Sequence, residues 1–234
     1  MALRTGSALV PHVAELRRRL LRSLGLLLAG TITLFQTQTH WLPFFTAPLT
    51  SIPNAHLQFT TVTGPFVSLL HLSFLLSLVF LMPWFVYEVW AFVAPGLRRS
   101  ERRKSSLTLL AIPTLFYVGL ATAFFTVLPA ALHFLLVSPL PGLVIAPTLE
   151  SYITFTGMLC LAFGITFNLP ALLFALIRTG VVKPAAVRQS RRFVVVGIFA
   201  LAAVITPPDP LSMLLLAIPL WLMFEATLLL AKPR

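Results

Sequence analysis

The sequence predicts an all-α, polytopic membrane protein with six transmembrane helices, both termini in the cytoplasm and two short C-terminal spans. Hydrophobic residues make up 58% of the 234 residues, charged residues only 10%, and the mean hydropathy is +0.96. This is more apolar surface than one soluble core can bury, so it indicates insertion into a membrane. Basic clusters alternate with the apolar runs. Because Lys and Arg beside spanning helices are retained in the cytoplasm, these clusters give the orientation.

Six apolar segments are predicted to cross the bilayer as a single transmembrane domain over residues 1–234. They are residues 23–42, 66–90, 107–128, 152–177, 193–205 and 211–230. Ahead of the first segment, Val13, Leu16 and Leu20 recur at helical spacing opposite arginines, which predicts an interfacial helix feeding the first span. The fifth segment has only thirteen residues. It is about 20 Å long as a helix, against a hydrocarbon core of about 30 Å.

Prolines set most of the predicted breaks. Residues 43–65 contain four prolines and no charge, so this connection is expected to be too broken for a helix. The third span is expected to end before Pro129. Pro83 lies inside the second span and is expected to bend it, and Pro170 lies inside the fourth span.

The basic residues fix the orientation of these spans. All 17 Lys and Arg residues lie in the N-terminal segment, in the connections after spans two and four, or at the C-terminus. Only six spans with both ends in the cytoplasm satisfy this distribution. The last uncharged connection is a proline-rich turn in which Asp209 is placed to cap the final helix and Pro210 to occupy its first position.

Composition and cysteine usage exclude several function classes. A net charge of +11 is compatible with nucleic-acid binding, but the basic residues flank the membrane spans rather than one amphipathic face, so no nucleic-acid partner is expected. The only cysteine, Cys160, lies within an apolar run, which excludes an internal disulfide and a thiolate metal cage. No metal and no cofactor are expected.

Two acids lie among the cytoplasmic basic clusters. Glu15 is four residues before Arg19, which favours a local ion pair, and Glu101 precedes the third span, where an acid suits a helix start. A second interpretation is that the two carboxylates accept a cationic motif from another chain, since a guanidinium offers them a forked, bidentate partner. Both interpretations remain open at this point.

Polar residues inside or near the spans are candidates of a different kind. His71 lies within the second span and Asn168 within the fourth, where each either forms helix-to-helix hydrogen bonds or belongs to a functional polar patch. Glu88 and Glu225 lie near the cytoplasmic ends of the second and sixth spans. Simple solvation at the interface is expected for both.

Five groups of residues, in this six-span frame, together resemble the TatC family, the multispanning receptor component of twin-arginine protein translocation. The groups are His12 with residues 15–17 and 19–21; Tyr87, Trp90, Phe92 and residues 94–97 with 101–103; Phe163, Gly164, Phe167 and Pro170; Arg191 and Arg192; and residues 206–209 with 217–219, Phe224 and Glu225. The resemblance runs from about His12 to Glu225, which is nearly the whole chain.

The resemblance implies a non-enzymatic receptor for the twin-arginine signal peptides of folded cargo proteins. It makes Glu101 the main contact of the arginine pair and Glu15 a contributor. The other residues implied for the same cytoplasmic site are Arg17, Phe92, Leu97, Arg102 and Arg103.

The resemblance also implies partners and a location. Single-span proteins of the TatA and TatB types are expected to contact spans five and six around Thr206, and Pro48 matches a family position in the first trans-side connection. Export would use the proton motive force, within an oligomeric complex in a bacterial cytoplasmic membrane or an organellar inner membrane.

Three residues depart from the family pattern. Asn168 stands where the family has Glu or Gln, His71 where it often has Lys, and Met213 where it has Gln.

The main alternative is a secondary transporter of a small solute, but no inverted repeat, paired broken helices or intramembrane coupling acid is evident. An intramembrane hydrolase ranks lower because its sequence motifs are missing.

Overall fold

The computed structural model describes residues 6–52, 57–59, 61–93, 99–136, 146–178, 182, 184–205 and 210–230. These ranges are almost entirely helical, with one isolated β-bridge between Gln58 and Thr148. The helices are α1 Gly6–Gln36, α2 Gln38–Thr50, α3 Gly64–Phe80, α4 Met82–Val93, α5 Arg99–Thr122, α6 Leu128–Leu136, α7 Leu149–Thr166, α8 Leu169–Arg178, α9 Pro184–Gln189, α10 Arg191–Ile205 and α11 Pro210–Leu230. A π-helical turn, Ala123–Val127, joins α5 to α6.

The chain forms two compact units. The N-terminal unit comprises Met1–Leu42 with Phe66–Pro113, and the C-terminal unit comprises Pro43–Pro65 with Thr114–Arg234. Because the chain leaves the first unit and returns to it, neither unit is one uninterrupted stretch.

In the N-terminal unit, α1 approaches α3 closely through small residues. The Ser77 hydroxyl donates to the Leu27 carbonyl at 3.1 Å, and a Cβ added at Gly30 would collide with the same serine side chain. The rings of Phe35 and Phe66 meet edge to face with centroids 5.5 Å apart. Small residues and an interhelical hydrogen bond are the usual means by which helices associate in membranes.

The break expected at Pro83 is present. Helix α3 ends at Phe80 and α4 begins at Met82, with a 51° bend between them. Proline removes a backbone donor and its ring clashes with the carbonyl four residues earlier, which here belongs to Val79 in the last turn of α3.

The first connection differs from the prediction. The first helix ends at Gln36 rather than Leu42, and α2 follows with Pro43 and Pro48 inside it, so the expectation that residues 43–65 are too broken for a helix is wrong over residues 43–50. The face of α2 that carries Phe45 and Leu49 is buried. Burial of two large apolar side chains stabilises the helix by about 3–6 kcal/mol, which is comparable to the combined cost of about 6 kcal/mol for its two interior prolines.

The expectation that the third helix ends before Pro129 is also wrong, because α6 continues to Leu136. In the π-turn the amide of Leu128 donates to the carbonyl of Ala123, five residues earlier. This wider turn relieves the clash between a proline ring and the preceding turn. Val127, Leu128 and Ala131 are buried, so packing holds the helix through the proline.

The fourth predicted span contains a helix break just before Pro170. Helix α7 starts at an N-cap, Thr148, whose hydroxyl accepts from the Ser151 amide at 3.1 Å, and the turn before α8 lies two to three residues ahead of Pro170. Glycines let α5 and α7 meet. A Cβ at Gly119 would lie 2.7 Å from the Phe163 carbonyl oxygen, and one at Gly164 would lie 2.6 Å from the Phe116 ring.

The last two helices pack against each other, and α11 also packs against α8. Val187, Phe224 and Leu228 form a buried cluster there. Helix α10 begins two residues earlier than predicted, whereas α11 begins at Pro210 as predicted. With 15 and 21 residues, the two are about 22 Å and 31 Å long, so α10 is the short helix of the pair and α11 is not short.

Helix length and composition support the polytopic membrane class. Among the described residues, Leu110–Leu136 and Leu149–Leu173 are long and apolar enough to cross a membrane alone. Two bent pairs, Ala14–Gln36 with Gln38–Thr50 and Gly64–Phe80 with Met82–Phe92, raise the number to at most four if each pair forms one span, and the apolar part of α11, Met213–Leu229, is shorter. The count of six spans and the cytoplasmic placement of both ends stay predictions.

Candidate functional site

An arginine on α1 lies between two carboxylates in the N-terminal unit. The Nη2 atom of Arg19 donates to Glu15 Oε1 at 2.7 Å and its Nε donates to the same oxygen at 3.1 Å. Its Nη1 donates to Glu88 Oε2, on α4, at 2.6 Å. We call Glu15, Arg19 and Glu88 the Arg19 clamp.

The three side chains of the Arg19 clamp differ in exposure. Glu88 is 9% exposed, Arg19 20% and Glu15 33%. Hydrogen bonds to Glu15 and then to Glu88 raise the pKa of Arg19, so the guanidinium stays charged. The more accessible carboxylate of the clamp belongs to Glu15.

The Arg19 clamp depends both on residue spacing within α1 and on the packing of α1 against α4. Glu15 and Arg19 are four residues apart on α1, which brings their side chains together on one helix face. Packing of α1 against α4 then brings Arg19 to the last turns of α4, where Nη2 also lies 3.5 Å from the Ala91 carbonyl oxygen. A cation is favoured at a helix C-terminus, whereas an acid is not, and a buried carboxylate such as that of Glu88 needs a charged partner. Arg19 therefore stabilises both the C-terminal end of α4 and the carboxylate of Glu88.

The clamp confirms one prediction and corrects another. The expected local pair of Glu15 with Arg19 is present. The prediction that Glu88 is simply solvated at the interface is wrong, because Glu88 is buried and forms an ion pair with a residue 69 positions away in sequence. Solvation alone is also wrong for Glu225, which pairs with Arg191 at 2.6 Å. An acid in an apolar span opposite a basic amphipathic helix was the available signal for the pairing of Glu88.

The other predicted signal-peptide residues are only partly described. Arg17 is exposed on α1 and Phe92 is half-buried near the end of α4. Leu97 lies outside the described residues. The backbone of α5 includes Glu101, Arg102 and Arg103, but their side chains lie outside the described part of the chain, so the joining of Glu15 and Glu101 in one site stays a prediction.

The residues predicted for partner contact or for a structural role belong to the C-terminal unit. Pro48 is half-buried within α2. Thr206 and Asp209 lie outside the described residues, and so does the predicted cap of α11 by Asp209.

In the described part of the chain, neither intramembrane polar residue forms a hydrogen bond between helices, and membership of a functional polar patch stays a prediction. His71 is exposed on α3. Asn168 bonds locally, with its Nδ2 donating to the Gly164 carbonyl at 2.8 Å across the break between α7 and α8. Its Oδ1 is buried without a hydrogen-bond partner among the described residues. The amide therefore satisfies a carbonyl that the helix break leaves open.

Metal chemistry has no candidate site in the described residues. No group of three or more His, Cys, Asp or Glu side chains there is placed to hold a metal ion. Cys160 is a buried free thiol.

Several helices of this chain are apolar and long enough to cross a bilayer. Ion pairs link neighbouring helices near their charged ends. These features define the chain as a polytopic α-helical membrane protein. A family model described as Sec-independent protein translocase protein (TatC) matches residues 11–219. The chain belongs to the TatC family. It is therefore a component of a protein translocase and not an enzyme, as the sequence predicts.

Individual relatives agree with this assignment. The Sec-independent protein translocase protein TatC of Azotobacter chroococcum mcd 1 is 37% identical over 219 residues, covering 93% of this chain and 86% of the relative. The TatC protein of Escherichia coli strain K12 is 34% identical over 227 residues, covering 96% and 88%. A crystal structure of the twin-arginine translocase receptor TatC in DDM superimposes with a TM-score of 0.81 at 33% identity, covering 95% of this chain and all of that one.

Proposed function

We propose that this chain is the core receptor subunit of a twin-arginine translocase, which binds twin-arginine signal peptides and organises the export of folded proteins. The family match and the likeness to a twin-arginine translocase receptor support this role. In the proposal the chain crosses a bacterial cytoplasmic membrane, or an organellar inner membrane, six times with both ends in the cytoplasm. Export is driven by the proton motive force. The alternative of a small-solute transporter is not favoured by these relatives.

The observation that carries the proposal is the Arg19 clamp. Glu15 already accepts two donors of a guanidinium, at 2.7 and 3.1 Å, and a signal-peptide arginine presents the same group. The peptide guanidinium can therefore take the place of Arg19 on Glu15 without a new kind of contact.

Glu88 makes this exchange feasible in the proposed mechanism. When Arg19 releases Glu15, its Nη1 keeps the 2.6 Å bond to Glu88, so no buried cation is left unpaired. Arg19 and Glu88 are thus positioning residues, whereas Glu15 contacts the peptide. Phe92 and Arg17 lie on the two helices that carry the clamp.

Glu101 is proposed as the second carboxylate of the receptor. Four arginines at positions 98, 99, 102 and 103 surround it in sequence, and they repel an incoming arginine pair unless a carboxylate offsets their field. Leu97, Arg102 and Arg103 complete the proposed cytoplasmic site.

The partner-binding side is proposed at the last two helices. Helix α10 is about 22 Å long, shorter than a hydrocarbon core of about 30 Å, and it exposes Phe193, Val196 and Val204. A short helix thins the bilayer or recruits neighbours. Single-span TatA-type and TatB-type proteins are proposed to dock here, around Thr206, in an oligomeric complex.

The direct test replaces the accessible carboxylate of the clamp. Glu15→Gln removes the charge but keeps the shape of the side chain, and we expect crosslinking of the purified protein to a twin-arginine signal peptide to fall about tenfold, the loss of one charge-assisted contact. Glu150→Gln is the matched control, because Glu150 is an exposed acid on α7. Equal yields in the two variants would refute a role for Glu15.

A further inference from the structure

A basic cavity lies in the C-terminal unit beside the start of α10. It is open to the surface and has a volume of about 800 Å³. Its lining residues are Arg188, Gln189, Arg191, Arg192, Val195 and Trp221. All of them come from α9, α10 and α11, which pack together within this unit.

Positive charge in the cavity exceeds the negative charge that faces it. Arg191 is neutralised by Glu225 at 2.6 Å. Arg188 lies 3.5 Å from the Leu228 carbonyl oxygen, and the Arg192 guanidinium lies 4.9 Å from the centroid of the Phe193 ring. Neither of these two arginines has an acidic partner among the described residues, so two cations of the cavity are uncompensated within that part of the chain.

The lining of the cavity is basic at one end and apolar further along the helices. Val195 lies one turn further into α10 than Arg191, and Trp221 lies one turn further into α11 than Glu225. The basic groups therefore line the helix ends, and an apolar wall extends from them toward the middle of the helices.

We propose that this cavity binds an anionic membrane lipid. Its phosphate lies against Arg188 and Arg192, and the first part of its acyl chains lies along Val195 and Trp221. Basic recesses between membrane helices suit such headgroups, and tryptophan is favoured at the level where headgroup and hydrocarbon meet. Free phosphate shares the charge of the headgroup, but it makes no use of the apolar wall, so the geometry favours the lipid.

The test measures binding of lipid to the purified full chain in a neutral detergent. Radiolabelled phosphatidylglycerol is titrated against wild type and against the double variant Arg188→Gln with Arg192→Gln. We expect the double variant to bind this lipid at least about tenfold more weakly, since each Arg–headgroup contact contributes a few-fold or more. Arg191 is left in place so that its pair with Glu225 still joins α10 to α11.

The matched control removes two charges elsewhere. Arg18→Gln with Arg22→Gln neutralises two exposed arginines on α1 and is expected to bind the lipid as wild type does. Phosphatidylcholine should bind at least about tenfold more weakly than phosphatidylglycerol, and inorganic phosphate should not displace the lipid. Equal losses in the two double variants, no preference for the anionic lipid, or displacement by phosphate would each overturn the proposal. If the double variant proves unstable, Arg192→Gln alone should show a smaller loss of the same kind, and wild-type binding by it would also overturn the proposal.

Discussion

Arg19 forms hydrogen bonds with two acids that differ in solvent exposure, and the proposed receptor mechanism depends on this difference. Glu88 is buried and holds the guanidinium, whereas Glu15 is accessible and shares it. A buried carboxylate needs a partner, and removal of that partner is more costly than the pair is stabilising. Arg19 therefore stays on Glu88, and Glu15 is the side chain that can change partners.

Removal of Glu88 should weaken peptide binding through Arg19. In Glu88→Ala, Arg19 has Glu15 as the remaining acid of the clamp and competes harder for it, so we expect the affinity for a twin-arginine peptide to fall on the order of threefold to tenfold. Fluorescence anisotropy of a labelled peptide measures this change.

A second variant separates this competition from a loss of structure. Replacing Arg19 by alanine in the same background removes the competitor, so the double variant should bind the peptide better than Glu88→Ala does. If the double variant binds as weakly as Glu88→Ala or more weakly, Glu88 acts only on the fold.

At the residue scale, the sequence predicts what is local. The Glu15–Arg19 pair follows from a spacing of four on a helix. The Arg19–Glu88 pair does not follow from any spacing, because it depends on how α1 packs against α4. The bond from Asn168 to Gly164 likewise depends on where the helix breaks.

At the element scale, prolines act according to the packing around them. Pro83 and Pro210 break or begin helices as their backbone chemistry predicts. Pro43 and Pro48 remain inside α2 because one face of that helix is buried, and Pro129 remains in a helix because a π-turn precedes it. Sequence rules see the missing donor of a proline but not the contacts that offset it.

Lengthening the short helix α10 tests whether its length matters for transport. Four leucines inserted after Val204 extend it by about 6 Å, to nearly the thickness of the hydrocarbon core, and leave the Arg191–Glu225 pair unchanged. We expect export of a twin-arginine cargo to fall severalfold because the mismatch is removed.

The control for this insertion is four serines at the same position, which lengthen the chain without lengthening its apolar part. Export by the serine variant should stay closer to wild type than export by the leucine variant. Full activity of the leucine variant, or equal losses in both, would contradict a role for local thinning.

At the scale of the whole molecule, charge distribution and family membership lead to the same role. Basic clusters flank alternate connections, the helices are apolar, and the matched family acts in protein translocation. The sequence predicts this class well because hydropathy and charge are properties of composition. Which acids meet in space is a property of packing, which is why the place of Glu88 had to come from the structure.

The most direct test of a carboxylate receptor for an arginine pair uses Glu101 and the purified full chain. A signal peptide with a photoreactive group beside its two arginines is crosslinked to wild type, to Glu101→Gln and to the charge-preserving Glu101→Asp. We expect the yield of Glu101→Gln to fall to that of a twin-lysine peptide on wild type, with Glu101→Asp in between. An unchanged yield in Glu101→Gln, with the protein intact, would contradict the account.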